Sequence, residues 1–234
     1  PHKTWEFVKR IADHVCQVWT TEDSGIWEVR GSPRHFVYSK LMCWVALDRV
    51  IKIAELKDVP DQWSKAKEEI KEAILERGFS KKLNSFVQSF DSETLDATSL
   101  LIPLMNFLPP DDPKVQGTID AALKWLMTKK GLVFRYKTED GLPGTEGNFI
   151  LCSFWLVKAL AISKRVEEAE KVFNNILKYV SPLGLLAEEI DPLTGKQLGN
   201  FPQAFSHIGL INSALYLGIA KGKKHKGPKL VGLS

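Results

Sequence analysis

Cysteine is scarce in this chain of 234 residues: Cys16, Cys43 and Cys152 are the only three. Each stands in an apolar, helix-like context, and none has the spacing of a metal ligand set. That argues against a disulfide framework and a zinc site. It favours buried free thiols in a reducing, cytoplasmic setting. Histidine is sparse too, and His35 and His207 are too isolated to argue as metal ligands, so no metal and no cofactor is expected. No hydrophobic run is long enough to span a bilayer; the longest, 149–162, contains Lys158. No signal peptide pattern is visible, and Pro1 is not a native start. No internal repeat supports an open solenoid. Strong charge of one sign is also lacking. The net charge is +4, and much of it sits in the stretch Lys221-Gly222-Lys223-Lys224-His225-Lys226-Gly227-Pro228-Lys229. Such a run reads as a solvated terminus, so 221–234 is expected to be a basic, flexible tail. Neither a membrane nor a nucleic acid is expected as a partner.

What is present is a globular composition, with 44% apolar and 26% charged residues. Apolar periodicity predicts eight helices and little strand. They run about 4–19, 39–56, from 61 onward, 93–107, 113–128, 149–162, 166–179 and 203–217. The odd members carry one apolar stripe: Trp5, Val8, Ile11/Ala12, Val15 and Trp19 in the first; Trp63, Ala66, Ile70 and Ile74 in the third; Val115, Ile119, Ala122/Leu123 and Leu126 in the fifth; Ala169, Val172/Phe173 and Ile176 in the seventh. The even members are apolar on most sides. A striped helix belongs on an outside, and an all-round apolar helix is covered. Their alternation describes two concentric rings, an all-α toroid of antiparallel helix pairs.

The connections alternate as well. Those entering the apolar helices are long (20–38, 79–92, 129–148 and 180–202), and those leaving them are short (57–60, 108–112 and 163–165). In such a ring the long loops gather at one end, where function concentrates. Four pairs do not close a toroid that usually has six, so 1–220 reads as the C-terminal two-thirds of a barrel.

Two long loops hold carboxylates among apolar or aromatic neighbours: Gly25-Ile26-Trp27-Glu28-Val29-Arg30-Gly31 and Gly184-Leu185-Leu186-Ala187-Glu188-Glu189-Ile190-Asp191-Pro192. A carboxyl so placed can keep its proton near neutrality, and two facing carboxyls suffice to hydrolyse a glycosidic bond. Glu28 is either a general acid or a surface glutamate paired with Arg30 or Arg34. Glu188 and Glu189 are either a general base with a hydroxyl-binding neighbour or a solvated acidic loop. Arg135-Tyr136, in the third long loop, either binds substrate or closes a local salt bridge with Glu139 or Asp140 before the turn Gly141-Leu142-Pro143-Gly144. Trp27 offers an aromatic face to a sugar. The other six tryptophans are expected in the core.

These residues carry a resemblance. The strings that carry it are Gly25 to Arg30 with Arg34 to Lys40; Leu108-Pro109-Pro110-Asp111-Asp112-Pro113; Phe134-Arg135-Tyr136; Glu146-Gly147-Asn148-Phe149 with Cys152-Ser153-Phe154-Trp155; Leu186 to Pro192; and Gly199 to His207. In that order, through nearly the whole chain, they resemble the glucoamylase and trehalase family of inverting α-glucosidases, glycoside hydrolase family fifteen, in its bacterial and archaeal branch. The resemblance implies a six-pair (α/α) barrel with about four pairs present. It implies Glu28 as general acid and Glu188 as general base, with Trp27, Arg30, Arg135 and Glu189 lining the sugar subsites. The implied reaction is glucoamylase-like, releasing β-glucose from an α-glucoside oligosaccharide. A trehalase acting on trehalose is the alternative, and a truncated, non-catalytic carbohydrate-binding or scaffold chain is a third reading. Val29 departs from the fungal glucoamylases, which place a second carboxylate after the acid. The resemblance also implies partners outside this chain: a β-sandwich domain and N-terminal barrel helices, which normally supply an aspartate and an arginine that grip the non-reducing glucose.

Overall fold

The computed structural model describes residues 2–54, 59–137 and 146–223. The turn from Glu139 through Gly144, the end of the second predicted helix at Leu56 and most of the basic tail lie outside the described residues. The chain divides into two units, residues 1–80 with 87–93 and residues 81–86 with 94–234.

In the first unit α1 (His2–Val18), α2 (Val37–Ala54) and α3 (Asp61–Arg77) pack on one another. The predicted stripe of α3, Trp63, Ala66, Ile70 and Ile74, is buried in full. Asp61 in its first turn and Arg77 in its last oppose the helix dipole, and the Gly78 N–H donates to the Ile74 carbonyl at 2.9 Å. α2 buries a wide face that includes Leu41, Trp44, Leu47 and Val50, as expected of an inner helix. The α1 stripe is narrower than predicted: Ala12 is buried, whereas Ile11 is exposed, as is Phe7 one turn before it. Asp13 of α1 accepts hydrogen bonds from Trp63 Nε1 (2.7 Å) and Gln62 Nε2 (2.8 Å) of α3. The first and second long connections meet here. Phe36 pairs with Ser89, the Val37 N–H donates to the Gln88 carbonyl and the Phe90 N–H to that of His35, each at 2.9 Å.

In the second unit α6 (Ile150–Ile162) is central, buried at all but two of its positions, and α7 (Val166–Leu177) and α8 (Ala204–Ala220) pack against it. α7 buries Ala169, Val172 and Ile176, the predicted stripe. Three predicted elements differ. The helix expected from Glu93 to Phe107 is broken into a 3-10 turn at Ala97–Leu100 and a short α4 (Leu101–Leu104). Asp96 is extended and its side chain caps the Thr98 N–H at 2.8 Å, while the Ala97 N–H is taken by the Arg135 carbonyl at 2.8 Å. Asn106, left-handed at φ +59°, stops the chain from continuing.

The fifth helix, α5 (Pro113–Ala121), begins as expected, with Asp112 capping the Lys114 N–H at 2.8 Å and proline in its first turn. It then widens into a π turn at Ala122–Leu126, closed by the Met127 N–H on the Ala122 carbonyl at 2.9 Å. The wider turn rotates later side chains off the helical stripe. Trp125, expected in the core, is 50% exposed. Trp44, Trp63 and Trp155 are buried; Trp5 and Trp19 are half-buried.

The third difference is α8. Its composition predicts cover on most sides, but it buries Ser206, Gly209, Ser213, Tyr216 and Leu217, while Phe205, Ile208, Ile211 and Leu215 are exposed. The small residues permit close approach to α6. A Cβ on Gly209 would stand 2.8 Å from the Phe154 ring, and Ser213 Oγ donates to the Phe154 carbonyl at 3.1 Å.

The long connections of this unit are joined by short strands that are too brief for periodicity to reveal. β1 (Asn148–Phe149), β2 (Glu189–Ile190) and β3 (Gln197–Leu198) form an antiparallel sheet in the order β1-β2-β3. Asp96 bridges Tyr136. The third and fourth long connections thus meet within this unit, and the third also reaches the segment just before the 3-10 turn.

Candidate active site

Glu28 belongs to the first unit and Glu188 to the second. The Glu28 loop is pinched at its base, where Asp23 and Arg34 exchange both backbone hydrogen bonds at 3.0 Å. Asp23 also anchors it by side chain, accepting from the Gly25 N–H (2.6 Å) and Ser39 Oγ (2.7 Å), with Lys40 Nζ at 4.0 Å. Lys40 is 2% exposed, and its ammonium donates to the Thr21 carbonyl. Burial lowers the Lys40 pKa, and Asp23 offsets part of that. The loop is therefore fastened to α2 through a buried cation. At its tip Glu28 is left-handed (φ +49°), and its N–H donates to the Gly25 carbonyl at 3.3 Å. Glu28 and Arg30 are exposed, and Trp27 is half-buried. Among the described residues Glu28 makes no ion pair with Arg30 or Arg34.

The Glu188 loop is held from both sides. Leu186 and Ala187 are fully buried. Ser206 Oγ of α8 donates to the Ala187 carbonyl at 2.6 Å. His207 accepts at Nε2 from the Leu186 N–H (3.4 Å), and its Nδ1 faces the Gln203 carbonyl at 2.8 Å, as in a ring that donates from Nδ1. The Glu188 backbone links the start of α6 to the segment after β3: its carbonyl accepts from Ile150 N (3.0 Å), and its N–H donates to the Asn200 carbonyl (2.9 Å). Oε2 of Glu188 accepts from the Asn200 N–H (3.1 Å) and Asn200 Nδ2 (3.0 Å).

Glu189 is not a loop residue but the first residue of β2, opposite Phe149 on one side and Leu198 on the other. Its Oε1 lies 3.6 Å from Arg135 Nη2. Arg135 Nε donates to Glu146 Oε1, and the guanidinium carbon stands 5.5 Å from the Phe149 ring centroid. Burial works against the Arg135 charge, but the Glu146 hydrogen bond and the carboxylates of Glu146 and Glu189 outweigh it and raise its pKa. Burial pushes the Glu189 carboxyl up, Arg135 pulls it partly back, and Glu188 pushes it up again. The Arg135 guanidinium thus lies between the carboxylates of Glu146 and Glu189, with Glu188 next to Glu189 in the chain. The local partners considered for Arg135, Glu139 and Asp140, lie outside the described residues.

Sequence reasoning gave no role to Glu146, Gly147, Gly199 or Asn200. A Cβ on Gly147 would meet Glu189 Oε2 at 2.5 Å, and one on Gly199 would meet Glu188 Oε2 at 2.8 Å, so each glycine lets a carboxylate lie against backbone. The available signal was that both glycines fall inside the strings that carry the family resemblance. All three cysteines are free, as expected, but only Cys152 is fully buried.

The model of the glycosyl hydrolases of family 15 matches residues 1–215. The chain is 47% identical over 223 residues to a trehalase of Mycobacterium tuberculosis, covering 93% of this chain and 32% of that protein. It is 41% identical to a trehalase of Thermoplasma volcanium, covering 90% of this chain and 34% of that one. It therefore spans about a third of the length of these relatives. Among solved structures, a glycosidase in complex with glucose superposes with a TM-score of 0.76 at 21% identity, covering 88% of this chain and 58% of that one. A bacterial glucoamylase complexed with acarbose gives 0.73 at 15%, covering 99% and 40%. The fold is the all-α, six-hairpin toroid class expected, present in part, and the chain belongs to family 15 of the glycosyl hydrolases.

Proposed function

We propose that this chain is the C-terminal two-thirds of the catalytic barrel of an inverting trehalase. The observation that carries the substrate is the identity of 33–47% to proteins named trehalase. Structures titled glucoamylase are only 12–15% identical, which supports the alternative substrate over the glucoamylase-like one expected first. The exposed apolar face of α8, with Phe205, Ile208, Ile211 and Leu215, supports a longer barrel, because upstream helices would cover it. The three free thiols favour a reducing, cytoplasmic setting.

In this reading one glucose of trehalose sits against Trp27, Arg30, Arg135 and Glu189. Glu28 protonates the glycosidic oxygen as the bond to the anomeric carbon breaks. Glu188 takes a proton from the water that attacks the opposite face of the ring through an oxocarbenium-like transition state. The two carboxyls would stand about 6.5–9.5 Å apart to admit that water. The attacked glucose leaves as the β anomer, and the other departs with its α configuration intact.

The test uses the full-length protein. Glucose release is compared on trehalose, maltose and isomaltose, and trehalose should be cleaved fastest; a preference for maltose would refute the substrate. Proton NMR at early times should show α- and β-glucose in equal amounts, and α-glucose alone would exclude inversion. Glu28→Gln should lose about 10²–10⁴-fold on trehalose and far less on α-glucosyl fluoride, whose leaving group needs no proton. Equal losses on both would remove Glu28 from the acid role.

A further inference from the structure

We infer that Asn200 is a positioning residue for Glu188, selecting which of its two oxygens receives the proton of the attacking water. The inference rests on Glu188 being the general base. Asn200 gives the same carboxylate oxygen two hydrogen bonds, from its backbone N–H at 3.1 Å and from Nδ2 at 3.0 Å. Its carbonyl in turn accepts the Glu188 N–H at 2.9 Å, so the two residues grip each other by backbone and side chain at once. Both lone-pair directions of Oε2 are thereby engaged. Among the described residues Oε1 accepts no hydrogen bond. It is the oxygen left to take a proton.

The clamp is also oriented by its neighbours. Gly199, at φ +73°, turns the chain so that the Asn200 N–H faces Oε2, and its missing side chain leaves the room that this oxygen occupies. Ile150 N on the Glu188 carbonyl fixes the opposite side. Rotation of the carboxylate about its last bond would break both Asn200 bonds, so the free oxygen keeps its direction as the water approaches. Preorganisation of this kind acts on the chemical step more than on substrate binding.

The experiment is steady-state kinetics on trehalose with the full-length protein. Asn200→Ala removes Nδ2 and keeps the backbone N–H. It should lower kcat about 10- to 100-fold with KM changed less than about twofold. Asn200→Asp keeps the shape but turns a like charge toward Oε2, so it should be slower than Asn200→Ala. A merely structural role would give the reverse order, because the isosteric side chain preserves packing. In a Glu188→Gln background, Asn200→Ala should cause no further loss. Wild-type kcat in Asn200→Ala, or Asn200→Asp outperforming it, would overturn the inference while leaving Glu188 as the base. Retained activity in Glu188→Gln alone would overturn the base role and this inference with it.

Discussion

Gly199 and Gly184 share a backbone conformation but not a neighbourhood, and the pair separates strain from displacement of Glu188. Gly199 has φ +73° and Gly184 φ +79°, both on the connection between α7 and α8. An alanine in the left-handed region costs about 1–2 kcal/mol at either site. The surroundings then differ. At 184 a Cβ meets nothing within 4 Å; at 199 it would stand 2.8 Å from Glu188 Oε2 and 3.0 Å from Glu188 Cβ. Ordinary contact begins at 3.4 Å, so the carboxylate has to retreat by about 0.6 Å. The Glu188 Cβ lies at the root of that side chain, so rotating the tip alone does not relieve the contact. The same movement stretches the two bonds from Asn200. A misplacement approaching 1 Å costs up to about 10²-fold in rate. Gly199→Ala should therefore lose about 10- to 100-fold in kcat on trehalose, and Gly184→Ala should keep it. Thermal melting of the full-length variants should show the backbone cost in both, with a further loss in Gly199→Ala from the displaced Glu188. Equal loss of activity in the two, or an unaffected kcat in Gly199→Ala, would refute the reasoning.

Three further outcomes follow from charges that the fold has buried. Asp23→Ala removes the carboxylate beside buried Lys40 and releases the Glu28 loop, so it should cost about 2 kcal/mol in chemical denaturation and reduce trehalose turnover. Lys158 of α6 is pushed by burial from 10.5 to about 8. A depressed lysine is least costly when neutral, so stability falls as pH drops through that window and stays low below it. Lys158→Met should accordingly gain about 3 kcal/mol at neutral pH, with the gain vanishing once pH exceeds the unfolded value; urea titrations at neutral and strongly basic pH measure it. Glu189 is shifted the other way. The folded state holds its proton more tightly than the unfolded chain, so the cost of ionisation is absent below the usual carboxylate value and grows as pH rises through the raised one. Glu189→Gln should melt above the wild type at neutral pH and level with it in acid, while binding substrate less well.

Legibility in the sequence tracked how local the determining forces were. The stripes of α3 and α7 could be read because each helix has one partner side, so burial follows the helical period. The helix expected at 93–107 failed because its N–H groups had non-local claims on them: the Ala97 N–H belongs to Arg135, 38 positions later. The sheet of two-residue strands escaped notice because alternation needs several residues to register. At the site, Glu28, Glu188, Glu189 and Arg135 could be nominated from neighbouring residue types. Glu146 and Asn200 could not, since what matters about them is the carboxylate or guanidinium they touch across 11 or 12 positions of chain.

α8 shows where composition alone misleads. Its apolar character reads as all-round burial, yet it buries the small residues Ser206, Gly209 and Ser213 with Tyr216 and Leu217 near its end, while Phe205, Ile208, Ile211 and Leu215 are exposed. These two faces solve different problems. Gly209 and Ser213 let two backbones approach closely and leave few side-chain atoms to bury. Phe205, Ile208, Ile211 and Leu215 leave their apolar surface exposed. Hydropathy sums the faces and cannot tell them apart, whereas residue size along the helical period can. Small residues at 206, 209 and 213 mark the buried face, and large ones at 205, 208, 211 and 215 the exposed one. Residue size along the helical period therefore separates the face that can lie close against α6 from the one that stays exposed.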